Sequence, residues 1–232
     1  MTVPLSSEWP RACIPLGVAD DQRWSPIGSG VLIVQRPGIW LVTLERVLPP
    51  PGVPVSAWVS NANEGTLFDI ADLHAETNLE WIRAKGWAAT LFPVKPEWGT
   101  KGFNQQQSLT DMRLLTPLVP CSTVQCLYGA QGAFASSGPG TPYVLSGTIS
   151  RSSPEAIFTS TPLYPRNTGA PVFATLGTKD GPEVRLIGLT AEALPGNPSL
   201  SPLTAVQPIS QAFELLGSEA AQTQLQQVMP PA

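Results

Sequence analysis

Proline and glycine recur along this chain so often that short strands joined by tight turns are the architecture it most readily supports: 26 prolines and 20 glycines are spread over 232 residues. Proline removes a backbone donor and fixes φ, and glycine loosens the backbone, so both concentrate at turns and strand ends rather than inside long helices. Hydrophobic residues make up 42% of the chain, too much for an unfolded proline-rich polymer and enough for a core. One domain of this length suffices. The expected organisation is a single all-β domain over residues 1–232, with a first half over 1–100 and a second over 101–232.

Between the breakers lie runs with strand character. GSGVLIVQ (Gly28 to Gln35) is rich in branched residues, and the Pro37-Gly38 turn leads into a second strand at Ile39 to Thr43. Residues Val53 to Asn61 alternate apolar with small or polar side chains, and WAATLFPV (Trp87 to Val94) returns to strand character. A further strand is expected around Cys13 to Leu16. The acidic stretch 62–80 reads as a loop with a short helical turn, and the polar stretch 95–112 as the boundary between halves. In the second half TVQCLYGAQG, YVLSGTISRS and EAIFTSTPL read as strands, and PVFATLG and VRLIGLTAEAL as a hairpin turning at Asp180-Gly181. The last segment changes period: Ile209, Phe213 and Leu216 are spaced four and then three apart, which predicts one C-terminal helix.

Charge and cysteine content narrow the function classes. A net charge of -4 without a Lys/Arg cluster lacks the footprint that binding to a phosphate backbone requires. No run approaches the 18 or so apolar residues of a membrane helix. The first residues have no basic start followed by an apolar run, so they do not read as a secretory signal. Cys13, Cys121 and Cys126 are too few and too isolated for a disulfide framework or a zinc site, and fit buried thiols in a reducing compartment. These features point to the cytoplasm, with a nuclear address also compatible, and to no cofactor and no metal.

Several segments, in order, resemble the trypsin-like serine protease superfamily. GSGVLI looks like its glycine-flanked early strand, WLVTLERVL is similar to its LVTAAHVL segment, and GWAATLFPV to the DxAxL segment that carries the acidic triad member. PRNTGAPVF resembles the nucleophile loop GNSGGPVF, and RLIGLTAEA the LVGVxS strand beside the substrate cleft. The resemblance covers nearly the whole chain. It implies two six-stranded antiparallel β-barrels of the trypsin-like type followed by a C-terminal helix.

The same resemblance removes the chemistry. The place of the histidine base falls on Arg46, that of the aspartate on Gly86, that of the serine on Thr168, and that of the glycine two positions before it on Arg166. A hydroxyl needs a neighbouring base to become a nucleophile, and a guanidinium stays protonated and has no lone pair to accept a proton. Gly86 has no carboxylate to orient a base. Thr168 keeps a hydroxyl but adds a methyl that restricts χ1, and Arg166 occupies a position suited to glycine's backbone freedom. No catalytic residue is therefore assigned.

Other residues invite two readings each. His74, the one histidine of the chain, lies in FDIADLHAETNLEW and reads as a partly exposed loop or helix-cap residue, with Asp69, Asp72, Glu76 and Glu80 as a solvated face. Arg46 and Arg166 either line a decayed cleft or bring positive charge to a carboxylate or phosphate; Glu45 stands beside Arg46. Trp40, Trp58 and Trp87 belong to strands, whereas Trp9, Trp24 and Trp98 fall in loops, where an exposed aromatic marks an interface. The expected function is a catalytically inactive pseudoprotease that binds one or more proteins as part of a complex, with Arg46, Arg166, Trp9 and Trp98 as contact residues. The alternative is an unconventional threonine hydrolase or a peptidase completed by a partner's side chain.

Overall fold

The structure, a computed structural model, describes residues 13–19, 24–35, 38–60, 65–92, 109–110, 123–128, 143–164, 166–178, 181–194 and 203–228. The first half begins with an antiparallel meander of β1 (Cys13–Ala19), β2 (Trp24–Gln35) and β3 (Gly38–Leu44), in which Cys13 faces Val31 and Val31 faces Val42. Every residue of β3 is buried. That accounts for its sequence, GIWLVTL, which reads as a near-continuous apolar run with a single hydroxyl. After a 3-10 turn at Glu45–Val47, β4 (Ser56–Ser60) pairs with β1 and β5 (Gly65–Asp69) pairs with β4.

The chain then leaves the sheet as helix α1 (Ile70–Thr77). Asp69 caps it by accepting the Ala71 N–H at 2.8 Å, and Asn78 ends it in a left-handed conformation that Asn tolerates better than most residues. Strand β6 (Ile82–Ala84) turns through Lys85 and Gly86, both at positive φ (50° and 80°), into β7 (Trp87–Leu91), which pairs with β3. A two-residue hairpin with both central φ positive favours glycine at the second place, which is a structural reason for Gly86. The short β8 (Leu109–Thr110) lies parallel to β2.

The expectation of two six-stranded barrels is corrected here. The first half is an eight-stranded open sheet in the order β5-β4-β1-β2-β3-β7-β6, with β8 attached to β2. The physical reason is local: the residues that would carry β5 onward to β6 are spent in α1, and β6 has three residues, so the two strands end the sheet at opposite edges. The acidic stretch read as a loop thus contains strand β5 and a full helix.

In the second half β9 (Thr123–Tyr128), β10 (Tyr143–Ser152), β11 (Ile157–Thr159), β12 (Pro171–Thr178), β13 (Gly181–Ala193) and β14 (Thr204–Pro208) pair in the closed order β10-β11-β14-β13-β12-β9. Val124, Cys126, Ile149, Val172, Ile187 and Val206 form a small core of their own. The expected boundary at 95–112 lies outside the described residues apart from Leu109 and Thr110, as do Trp9, Trp98 and Cys121.

The single C-terminal helix is also corrected. The chain forms α2 (Ile209–Leu216) and α3 (Glu219–Val228), separated by Gly217, whose N–H returns to the Phe213 carbonyl at 3.0 Å, and Ser218, whose hydroxyl lies 3.4 Å from the Ala221 N–H. A glycine stop followed by a serine start divides the periodic segment. Ile209, Leu215, Leu216 and Leu225 join the core of the first sheet with Trp40, Trp87 and Leu91, so the C-terminal helices tie the two halves together. Each such leucine contributes roughly 1.5–3 kcal/mol on burial. Gln224 adds a hydrogen bond to the Glu80 carbonyl at 2.6 Å. Trp24 was expected in a loop but opens β2, where its indole lies over Gly17; a Cβ there would sit 2.3 Å from the ring.

Candidate functional site

The loop from Arg166 to Ala170 is fixed between the two sheets from both sides. On the first-sheet side the Ser29 N–H donates to the Thr168 carbonyl at 2.8 Å, and the Thr43 hydroxyl donates to the Ser29 carbonyl at 2.7 Å. This close approach explains the glycines around Ser29: a Cβ on Gly28 would stand 2.7 Å from the Thr168 carbonyl oxygen. Gly169 has φ of 84°, and a Cβ there would lie 2.0 Å from the Ser29 carbonyl oxygen. Glycine is required on both counts.

On the other side the loop is clamped by Thr190 of β13. Its hydroxyl donates to the Asn167 carbonyl at 2.6 Å and accepts the Ala170 N–H at 3.0 Å; its backbone accepts from Gly169 at 2.7 Å and donates to Ala170 at 2.9 Å. Both Thr190 and Asn167 are fully buried. One side chain therefore holds both ends of the turn around Thr168 in a place where an unpaired group would cost about 1–3 kcal/mol. The resemblance to a nucleophile loop gave no warning of Thr190. Its signal in the sequence is a hydroxyl in the middle of the apolar run LIGLTA.

Of the three positions matched to a catalytic triad, Arg46 and Thr168 come to this junction through Glu192 and Ala191, and Gly86 adjoins the 3-10 turn that carries Arg46. Arg46 reaches from the 3-10 turn to Glu192 at 3.2 Å, and Glu192 follows Ala191, whose carbonyl is the acceptor, at 3.4 Å, for the Thr168 hydroxyl. The Glu45 N–H donates to the Gly86 carbonyl at 2.8 Å, which puts the β6–β7 turn beside Arg46. What they present is a guanidinium paired with a carboxylate, a hydroxyl turned to a backbone carbonyl, and a glycine. Arg46 and Glu192 are exposed, with side chains 49% and 59% accessible, so their attraction is screened and adds little stability. No motif in the sequence points to Glu192.

No family model and no curated protein matches the chain.

Arg166 is exposed and adopts φ of 67°, a left-handed conformation that costs a residue with a Cβ about 1–2 kcal/mol. The buried turn that follows holds it there. His74 does not reach Thr168 through any contact among the described residues. It sits half-buried on α1, its Nε2 within 2.8 Å of the Thr90 hydroxyl and its ring edge-on to Trp81 with centroids 6.0 Å apart. Burial pushes its pKa below the ordinary value, against an opposing pull from the Glu80 carboxylate. It is therefore a packed helix residue rather than a loop or cap residue. Asp69 is the helix cap, and Asp72, Glu76 and Glu80 are exposed.

Among the described residues no three His, Cys, Asp or Glu side chains gather as metal ligands, and no helix is long and apolar enough to cross a membrane. Cys13 and Cys126 are buried in separate cores.

Proposed function

We propose that this chain is a non-catalytic binding module, a degenerate relative of the serine proteases in which the turn around Thr168 serves as a joint between two sheets. The observation that carries the reading is the environment of the Thr168 hydroxyl: its acceptor is the Ala191 carbonyl, and Glu192, the next residue of β13, is paired with Arg46. A backbone carbonyl is not a base, and a guanidinium is not a proton acceptor. A threonine hydrolase would need a base within about 3 Å of that hydroxyl. Arg166 supports the binding reading. Strain held at an exposed arginine keeps positive charge on the rim of the junction, where a partner's carboxylate or phosphate would meet it.

The partner class is protein, met as a subunit of a complex, and the compartment is reducing, cytoplasm or nucleus. Comparing affinity-purified wild-type protein with an Arg46→Glu, Arg166→Glu variant from the same cells tests this. A stoichiometric partner present with the wild type and lost with the variant is the expected result. Absence of any stoichiometric partner from both samples overturns the reading, and a partner held equally by both overturns the role given to the two arginines.

A further inference from the structure

A concavity that Thr168 does not line lies between the loop Leu48–Val55 and helix α1. Its volume is about 230 Å³, and Pro49, Pro50, Pro51, Val53, Ile70 and Trp81 are among the residues of its wall. The wall is preformed. The loop closes on itself through the Val53 N–H to the Pro50 carbonyl at 3.3 Å, with Gly52 at φ of 91°, and it is fixed to the start of α1 by the Ile70 N–H to the Val55 carbonyl at 2.8 Å. Three consecutive prolines limit collapse into the space. The opposite side is braced in sequence: Thr90 holds His74, and His74 packs edge-on to Trp81.

The polar lining has one sign. Among the described residues that line the cleft Arg83 is the charged one, and none of them carries a carboxylate. The Arg83 guanidinium is only loosely engaged, 3.9 Å from Glu45, at the outer limit of an ion pair. A planar fork with that much unused capacity suits bidentate recognition of a carboxylate. The volume is below the roughly 300–1,000 Å³ of pockets for drug-sized ligands, so the occupant is small, with about ten to twelve non-hydrogen atoms.

We propose that the cleft between Leu48–Val55 and α1 binds a small hydrophobic monocarboxylate, its apolar body against Trp81 and the prolines and its carboxylate on Arg83. This site is independent of the reading of Thr168. A ligand of this size in a half-open cleft binds with a dissociation constant on the order of 1 mM.

The test uses the full chain and 3-phenylpropionate as probe, titrated by NMR beside 3-phenylpropanamide, which has the same shape without the charge. The amide should bind about tenfold more weakly, and Arg83→Gln should weaken the carboxylate by about tenfold while leaving the amide unchanged. Glu45→Gln, which removes the competitor for Arg83, should tighten the carboxylate, and Ala71→Phe, which fills the cleft from α1, should abolish binding of both. All three positions are partly or fully exposed, so folding is checked by the unchanged remainder of each spectrum. Equal binding of acid and amide, an Arg83→Gln protein that binds the acid like wild type, or no response at about 20 mM, well above the expected constant, would overturn the proposal.

Discussion

Substituting Gly169 by alanine loads the joint between the two sheets at its tightest point. The residue has φ of 84°, and a Cβ would be placed 2.0 Å from the Ser29 carbonyl oxygen and 3.0 Å from the Thr43 hydroxyl. The left-handed backbone alone costs alanine about 1 kcal/mol. Relieving the clash separates the loop from β2, with loss of the Ser29–Thr168 hydrogen bond, and the buried N–H and carbonyl left unpaired raise the total to about 4 kcal/mol. Gly52→Ala is the control: φ is 91°, yet nothing lies within 4 Å of its added Cβ, so only the backbone term applies. For a chain of this length the two changes correspond to falls in Tm of roughly 10 °C and about 3 °C. Urea unfolding of both variants beside wild type measures the difference. If Gly169→Ala and Gly52→Ala cost the same to within about 0.5 kcal/mol, the loop is not braced against β2 and the reasoning fails.

Thr190→Val keeps the shape of the side chain but strips the hydroxyl that bridges Asn167 and Ala170, and urea unfolding should show a loss of about 1–3 kcal/mol. For His74, burial lowers the folded-state pKa, so the unfolded chain binds the proton more tightly. Its contribution to stability is complete above the ordinary histidine pKa of about 6.5 and is lost as the pH falls through the folded value. The slope of stability against pH below neutrality should therefore flatten in His74→Gln, as thermal melts across that range would record. The Arg46–Glu192 pair, exposed on both sides, should give a coupling of at most about 0.5 kcal/mol in a double-mutant cycle, shrinking further in high salt.

Much of the strand content was legible because branched and aromatic runs bounded by proline or glycine have few other ways to bury themselves. GSGVLIVQ lies within β2, IWLVT within β3 and YVLSGTISRS coincides with β10. Pairing was less legible. The apolar pattern of β5 and β6 does not reveal that the chain between them is a helix capped by Asp69, nor that the sheet stays open as a result. The Gly217-Ser218 break in the C-terminal helix was present as a stop and start signal, but the periodicity of Ile209, Phe213 and Leu216 carried the reading past it. The motifs single out Arg46, Gly86 and Thr168 one by one, and the structure ties Arg46 and Thr168 to neighbouring residues of β13. Thr190 and Glu192 could not, because their part depends on which residues of β13 face the loop. The acidic neighbours of His74 suggest a solvated residue, whereas its environment is set by Thr90 and Trp81, which follow it in the chain.

The proposed function requires Thr168 to be a joint and not a nucleophile. The most direct test exposes purified protein to a fluorophosphonate and to an activated ester, and reads intact mass and peptide maps beside Thr168→Val, which removes the hydroxyl and keeps the branch. The predicted result is no stoichiometric adduct on Thr168 with either reagent and spectra that match the variant. An adduct that forms on Thr168 in the wild type and disappears in Thr168→Val would contradict the account.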